Sequence, residues 1–137
     1  MKKVLVPIDG SKFSMKALKQ AKEIAEKFQS DVTIITVVSD IVAVNVDYKI
    51  DIISQNIAVA EEILANAKKI FDDTSLNVDT MYKVGDIAKE ICEKAADGNY
   101  DMIIMGSRGM GIISRTFLGS ISHKVINYTD KSVLVVK

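Results

Sequence analysis

Apolar residues in this chain form short continuous runs that alternate with longer stretches of helical spacing. Residues 4–8 and 32–38 are nearly continuous apolar runs, a pattern typical of strands that are buried on both faces. Between them, apolar side chains recur every three or four positions as far as about residue 28, which indicates a helix capped by Ser11 or Ser14. The predicted core face of this helix consists of Phe13, Ala17, Leu18, Ala21, Ile24, Ala25 and Phe28.

The middle of the chain predicts a long helix and then a strand near the edge of a sheet. The helix extends from about residue 48 to about residue 71, and its apolar stripe consists of Ile53, Ile57, Ala60, Leu64, Ala67 and Phe71. Residues 76–84 alternate apolar and polar side chains, as in a strand with one exposed face. Residues 41–46 are apolar without a clear period, and three interpretations stay open: a lid, a partner surface or a segment packed on the sheet.

The last part of the chain continues the alternation. A helix capped by Asp86 ends in the turn residues 97–99, and residues 100–105 form another buried strand. A helix from about residue 120 to about residue 129 and a closing strand at residues 132–136 complete the pattern.

Strands that alternate with amphipathic helices predict an α/β fold in one domain, residues 1–137. The expected sheet is doubly wound, parallel and five-stranded, in the order 3-2-1-4-5, with helices on both faces. Ligands of such sheets bind beyond the carboxyl ends of the strands, where the strand order reverses. That reversal lies between the first strand, which ends at Asp9, and the fourth, which ends at Gly106, so both residues should face one crevice.

The charge balance and the single cysteine narrow the classes of partner and compartment. The 137 residues contain 18 Lys and Arg and 18 Asp and Glu, whereas proteins that bind nucleic acids or membrane surfaces usually carry a basic excess. We therefore expect neither partner. Cys92 has no second cysteine to pair with, which fits a reducing compartment, and no apolar run approaches the ~18 residues of a membrane span. Together these features predict a cytoplasmic protein.

A glycine-rich segment at residues 105–120 carries the clearest candidate chemistry. Gly106 and Gly109 are separated by two residues, nine residues follow, and then come Gly119 and Ser120. Glycine permits close backbone approach, and the N-terminus of the following helix attracts anions, so the segment predicts a phosphate-binding loop. It is not a P-loop, because the Gly-x4-Gly-Lys-Ser/Thr pattern is absent, and its glycine order is not that of a dinucleotide fingerprint.

With this motif the chain resembles the universal stress protein family, specifically its ATP-binding branch, which carries Gly-x2-Gly-x9-Gly-Ser/Thr. Residues 4–11, 84–86 and 132–136 also resemble family segments, so the likeness covers almost the whole chain. The resemblance implies a Rossmann-like fold of the adenine-nucleotide alpha hydrolase type that binds ATP with Mg²⁺ or Mn²⁺. Ser132 replaces the proline that usually precedes the family's closing strand, which affects strand entry more than ligand chemistry.

The resemblance also implies roles for individual residues. The phosphates would be held by the Ser120 hydroxyl and by backbone groups of Gly109, Gly119, Ser120 and Ile121. Gly106 would lie near the ribose and α-phosphate, Pro7 would lie near the base, and Val37 would offer backbone groups to the adenine edge. Asp9 would bind the ribose or the divalent ion. The structural interpretation of Asp9 is only a helix cap for the turn at Gly10 and Ser11. Arg108, where the family often has His, would contact phosphate or point to solvent.

Three further residues have a structural interpretation beside a chemical one. Ser120 suits both a helix N-cap and a phosphate ligand, because one geometry serves either role. Cys92 lies next to the core face of its helix, which favours packing over redox chemistry. His123 is the only histidine, and the sequence assigns no catalytic group around it, which favours a surface position.

The predicted function is that of an ATP-binding universal stress protein that acts as a nucleotide-dependent regulator or sensor. The sequence offers no P-loop lysine and no evident base beside the phosphates, so we assign no catalytic residue and expect at most slow, metal-dependent hydrolysis. The resemblance implies a homodimer through the closing-strand residues Val133, Leu134, Val135 and Val136, and an apolar edge strand is suited to such pairing. The alternative is a dimeric protein-interaction module of the same fold with no nucleotide bound. A flavin protein is disfavoured, because the turn after the first strand is short.

Overall fold

A computed structural model describes residues 1–42, 45–109 and 118–137, in which strands and helices alternate. In chain order the elements are β1 (Lys3–Pro7), α1 (Lys12–Phe28), β2 (Asp31–Ser39), α2 (Val46–Lys69), β3 (Val78–Gly85), α3 (Ile87–Asp97), β4 (Met102–Gly106), α4 (Ser120–Tyr128) and β5 (Ser132–Val136). The predicted element order is confirmed, and the bounds shift by no more than about two residues. None of the helices in the described ranges is long and apolar enough to span a bilayer.

The five strands form one parallel sheet in the order β3-β2-β1-β4-β5, which confirms the predicted topology. β1 is central, since Val4 aligns with Val32 of β2 on one side and with Met102 of β4 on the other. β2 and β3 stay paired as far as Ser39 and Gly85, well beyond the end of β1. The strand order therefore reverses between β1 and β4, and a crevice opens at their carboxyl ends.

Two hydrophobic layers cover the sheet, because alternate side chains of a strand point to opposite faces. Val4 and Val6 of β1 pack with α1 and α2, whereas Leu5 packs with α3 and α4. Fully buried side chains include Leu18, Ile34 and Ile104 in the first layer, and Ile35, Ile91, Ile103 and Val125 in the second. Burial on both faces explains why β1, β2 and β4 appear in the sequence as continuous apolar runs.

Two of the helices begin with an N-cap residue whose side chain accepts a backbone hydrogen bond. Ser11 caps α1, because its side-chain oxygen accepts the N–H of Ser14 at 3.2 Å, so Ser14 is the donor and not the cap. Asp86 caps α3 as predicted and accepts the N–H of Lys89 at 3.0 Å. Each cap satisfies a first-turn N–H group that has no acceptor within the helix.

The structure corrects one detail of the predicted packing and leaves another open. Phe28 does not lie in the core: its side chain is 59% exposed, because it is the last residue of α1 and follows the last buried position. Ile41 is 81% exposed and Val46 begins α2, but residues 43 and 44 lie outside the described residues. The three interpretations of residues 41–46 therefore stay open.

A buried hydrogen bond joins β2 to the residues just before β4. The Tyr100 hydroxyl donates to Oγ1 of Thr33 at 2.7 Å, and both residues are buried. Tyr100→Phe leaves the Thr33 hydroxyl without this partner, so we expect the free energy of unfolding, measured by urea denaturation, to fall by about 1–2 kcal/mol. Tyr128→Phe removes the same hydroxyl from a side chain that is 77% exposed, and it should leave the midpoint unchanged. Equal effects of the two changes would contradict this account.

Candidate functional site

A cavity of about 430 Å³ opens at the carboxyl ends of β1 and β4. The structure brings all of the sequence-predicted ligand residues to its lining: Pro7, Asp9, Val37, Gly106, Arg108, Gly109, Gly119, Ser120 and Ile121. Their positions span most of the chain. They meet because the carboxyl ends of parallel strands share one edge of the sheet.

Seven further lining residues are absent from the sequence prediction: Ile8, Ser14, Ile35, Ile87, Ile91, Met105 and Ser122. Some of them adjoin predicted residues, so the strand ends were a usable signal for Ile8 and Met105. The contribution of α3 had no such signal, because it depends on how α3 packs against β2.

The lining combines an apolar wall with one acid and one base. β2 and α3 supply an apolar side, from Ile35, Val37, Ile87 and Ile91. Polar groups come from the turn after β1, from the glycine segment and from the start of α4. Among the lining residues that the structure describes, Asp9 is the only acid and Arg108 the only base. Such a cavity suits a ligand with a flat apolar group and an anionic group.

The turn after β1 fixes Asp9 opposite the glycine segment. Oδ1 of Asp9 accepts the N–H of Ser11 at 2.9 Å, and Gly10 adopts a left-handed φ of 84°. Oδ2 lies only 2.7 Å from the point that a Cβ atom on Gly109 would occupy. A side chain at residue 109 would therefore collide with the carboxylate. Ser11 is the N-cap of α1, whereas the Asp9 carboxylate holds the turn before it by accepting the Ser11 N–H.

The carbonyl of Ser107 closes the base of the glycine segment. It accepts the N–H of Gly119 at 2.7 Å, and the Ser122 hydroxyl lies 3.0 Å from it. A Cβ atom on Gly119 would approach this carbonyl oxygen and the Cα atom of Arg108 to 3.2 Å. The glycine therefore allows the start of α4 to lie directly against the end of β4.

The first turn of α4 faces the cavity without a side-chain cap. Gly119, and not Ser120, is the N-cap residue, because the Gly119 N–H is held by Ser107 and the helix begins at Ser120. First-turn N–H groups have no acceptor within the helix, and Ser120, Ile121 and Ser122 all line the cavity. Their N–H groups and the helix dipole together favour an anion at this point.

Gly106 has a packing role that the motif did not indicate. A Cβ atom on Gly106 would lie 2.9 Å from the backbone carbon and oxygen of Phe13. The end of β4 therefore touches the first turn of α1 directly, and this contact needs a glycine whether or not a ligand is present.

Among the described residues of the cavity lining, Asp9 supplies the single carboxylate that could bind a divalent ion. No cluster of three or more His, Cys, Asp or Glu side chains occurs in the described ranges. Mg²⁺ is often held by one or two carboxylates together with substrate phosphates and water, and Asp9 beside an anion site fits that arrangement.

Cys92 and His123 lie outside the cavity lining. The Cys92 thiol is half-buried against the second hydrophobic layer, with Sγ 3.9 Å from the Val125 carbonyl oxygen. Burial raises the pKa of this thiol, which keeps it protonated and poorly nucleophilic. His123 is exposed, and its Nε2 lies 3.1 Å from the side-chain nitrogen of Asn127.

A larger groove of about 880 Å³ lies at the opposite end of the sheet. Side chains of both charges line the groove, including the lysines Lys3 and Lys94 and the aspartates Asp31 and Asp79. It lies at the amino ends of the strands and brings together none of the glycine motif, so the smaller cavity is the better candidate site.

Comparisons of the sequence and of the structure with known proteins point to the same family. The model of the universal stress protein family matches residues 1–137. Universal stress protein MJ0531 of Methanocaldococcus jannaschii is 34% identical over 99% of this chain and 82% of its own length. The solved structure of MJ0577 from the same organism is similar with a TM-score of 0.87 and 29% identity, over 99% of this chain and 95% of that one.

Two further solved structures share the fold at lower identity. One is a universal stress protein in complex with cAMP, with a TM-score of 0.76 and 23% identity over 99% of this chain and 97% of that one. The other is a universal stress protein from Archaeoglobus fulgidus in complex with dAMP, with a TM-score of 0.74 and 20% identity over 100% of this chain and 98% of that one.

The two glycines of the strand end should differ in what they contribute to stability. Gly106→Ala forces a Cβ atom against backbone atoms, which cannot rotate away, so we expect the free energy of unfolding to fall by about 1–3 kcal/mol. Gly109→Ala meets the end of the Asp9 side chain, which can rotate, so its cost should be smaller, about 1 kcal/mol or less. Urea denaturation of both variants checks the order, and an equal or larger loss for Gly109→Ala would contradict it.

Proposed function

The chain belongs to the universal stress protein family, and on this basis we propose that it binds ATP in the cavity between β1 and β4 and acts as a nucleotide-dependent regulator or sensor in a stress response. The uncapped first turn of α4, which opens into the cavity, carries this proposal. The cAMP and dAMP complexes of two proteins with this fold support a nucleotide as the ligand class.

The phosphates bind at the start of α4. The N–H groups of Ser120 and Ile121 and the Ser120 hydroxyl donate to phosphate oxygens, since a helix N-terminus offers free donors and a positive dipole end. Gly109 lets the phosphates approach the backbone beside Asp9. Gly119 contributes by closing the base of the segment, because its own N–H is committed to Ser107.

The nucleoside occupies the part of the cavity between β2 and α3. Ile35, Val37, Ile87 and Ile91 offer an apolar wall for a flat base. Backbone groups at Val37 hydrogen-bond the adenine edge, Pro7 packs near the base, and Gly106 lies near the ribose and the α-phosphate.

Asp9 holds Mg²⁺ or Mn²⁺ against the phosphates or hydrogen-bonds the ribose. A carboxylate beside a polyphosphate repels it unless a cation lies between them, so the ion offsets an unfavourable contact. When bound, the ion supplies charge neutralisation. The described lining contains no lysine, no histidine and no acid besides Asp9, which supports at most slow hydrolysis.

A homodimer forms through β5 in this proposal, and the same dimer surface is the interaction surface of the alternative function, a dimeric interaction module without nucleotide. β5 is an edge strand of the sheet, and Val133, Leu134, Val135 and Val136 are apolar and only partly buried. Two copies of such a strand can pair across a two-fold axis.

The variant Ser120→Asp, which adds a negative charge, tests the phosphate site. A carboxylate in the first turn of α4 suits the helix dipole, so the melting temperature should stay the same or rise slightly. The same charge repels phosphate, so ATP affinity should fall on the order of tenfold or more, measured by isothermal titration calorimetry with Mg²⁺. Mass spectrometry of any nucleotide that is released when wild-type protein is denatured identifies the natural ligand.

Asn127→Asp is the matched control, because it adds one acid to an exposed position near the other end of α4. It should leave ATP affinity unchanged. Wild-type protein that neither releases nor binds ATP, or a Ser120→Asp variant that binds ATP as well as wild type does, would contradict the proposed site.

Val135→Pro tests pairing through β5. The Val136 carbonyl accepts the N–H of Ser107 at 2.8 Å, so the backbone of Val136 points toward β4 and that of Val135 points to the outer edge. Proline at residue 135 therefore removes an outward N–H that serves no bond within the sheet. We expect analytical ultracentrifugation to show a dimer for wild type and for Val135→Ala, and a monomer for Val135→Pro. A monomeric wild type, or a dimeric and folded Val135→Pro variant, would contradict pairing through β5.

A further inference from the structure

Two cationic side chains lie near the ring of Phe13, beside the cavity. The guanidinium carbon of Arg108 lies 5.6 Å from the ring centroid, and Nζ of Lys12 lies 5.5 Å from it. Cations within about 6 Å of an aromatic ring are attracted to it. Only one of the two belongs to the cavity: Arg108 lines it, and Lys12 is an exposed residue outside the lining.

The ring is anchored to the rigid part of the fold. Phe13 is the second residue of α1, and its backbone lies against Gly106 at the end of β4. The direct contact between these two elements fixes where the ring stands relative to the cavity. A guanidinium that rests on this ring is therefore positioned by a helix and a strand.

Arg108 has unused hydrogen-bonding capacity toward the part of the chain that is described. The ion pairs found there join Lys22 to Asp73 and Lys89 to Glu93, and none of these four residues lines the cavity. A guanidinium that stacks on a ring by its face keeps its N–H groups at the edge, where they can donate to an anion. Arg108 is also the only base among the described lining residues.

We propose that Phe13 is a positioning residue that holds the Arg108 guanidinium for the terminal phosphates, so that affinity increases with the number of phosphates on the nucleotide. This inference rests on the proposed nucleotide site. It adds that Arg108 acts on the phosphates beyond the first and that its position depends on a ring that belongs to neither the glycine motif nor the cavity lining.

Titration of wild type and variants with adenosine, AMP and MgATP tests the inference. Arg108→Gln should weaken ATP binding by about tenfold or more, because charge-assisted hydrogen bonds are lost, and should leave adenosine binding unchanged. Lys12→Gln is the matched control, since it removes a cation from the same ring outside the cavity; ATP affinity should stay within about twofold of wild type. Equal losses for the two variants would mean that general charge acts on the nucleotide, which overturns the inference.

Phe13 variants separate positioning from structural support. Phe13→Leu keeps an apolar side chain but removes the ring, so ATP affinity should fall about two- to fivefold while adenosine affinity stays constant. Phe13→Tyr keeps a ring and should restore ATP affinity. In the Arg108→Gln background, Phe13→Leu should have no further effect on ATP.

The outcomes distinguish the two proposals. A Phe13→Leu variant that loses adenosine and ATP affinity equally, or that loses further ATP affinity without Arg108, would show a structural role and overturn the positioning role. Wild type that binds ATP with no preference over AMP would overturn the inference and leave the nucleotide site intact. Wild type that binds no nucleotide would overturn both.

Discussion

The parallel pairing of β1 with β4 is the constraint on which the candidate site depends. It aligns Val4 with Met102 and brings two segments about 100 residues apart in the chain to the same end of the sheet. The turn that holds Asp9 then faces Gly109, and the end of β4 lies against the first turn of α1. Neither contact leaves room for a Cβ atom, but the obstacle at Gly106 is the backbone of Phe13, whereas at Gly109 it is the end of the Asp9 side chain.

A second contact, at Ser107, turns the end of β4 into a site. One carbonyl oxygen accepts the Gly119 N–H and lies within hydrogen-bonding distance of the Ser122 hydroxyl, so α4 begins directly beside the strand. Helix α4 has Gly119 as its N-cap residue, which has no side chain that could cap the first turn. Its first-turn N–H groups then face the cavity, whereas those of α1 and α3 are capped by Ser11 and Asp86. The N-cap of α2, Asn45, likewise makes no side-chain cap hydrogen bond, so the start of α4 is distinguished by its place at the cavity.

The glycines of the motif therefore serve different physical purposes. Gly106 allows two elements of the core to touch, Gly109 leaves room for the Asp9 carboxylate, and Gly119 closes the base of the segment. In the proposed function, Gly109 and the helix start after Gly119 offer backbone to the ligand. A spacing motif in the sequence combines packing requirements with binding requirements, and the pattern alone does not separate them.

The sequence by itself determined the element order and the sheet topology, because burial periodicity and strand-end position are local properties. The resemblance to a known family, rather than periodicity, indicated nine of the residues that line the cavity. The resemblance on the glycine motif, the opening segment and the closing strand was sufficient to indicate the family. The exposure of Phe28, the lining residues from α3, the N-cap at Gly119 and the ring of Phe13 beside Arg108 were decided only by the tertiary structure. Each of these depends on which groups of distant segments come within a few ångströms of each other, and a one-dimensional pattern carries no information on such distances.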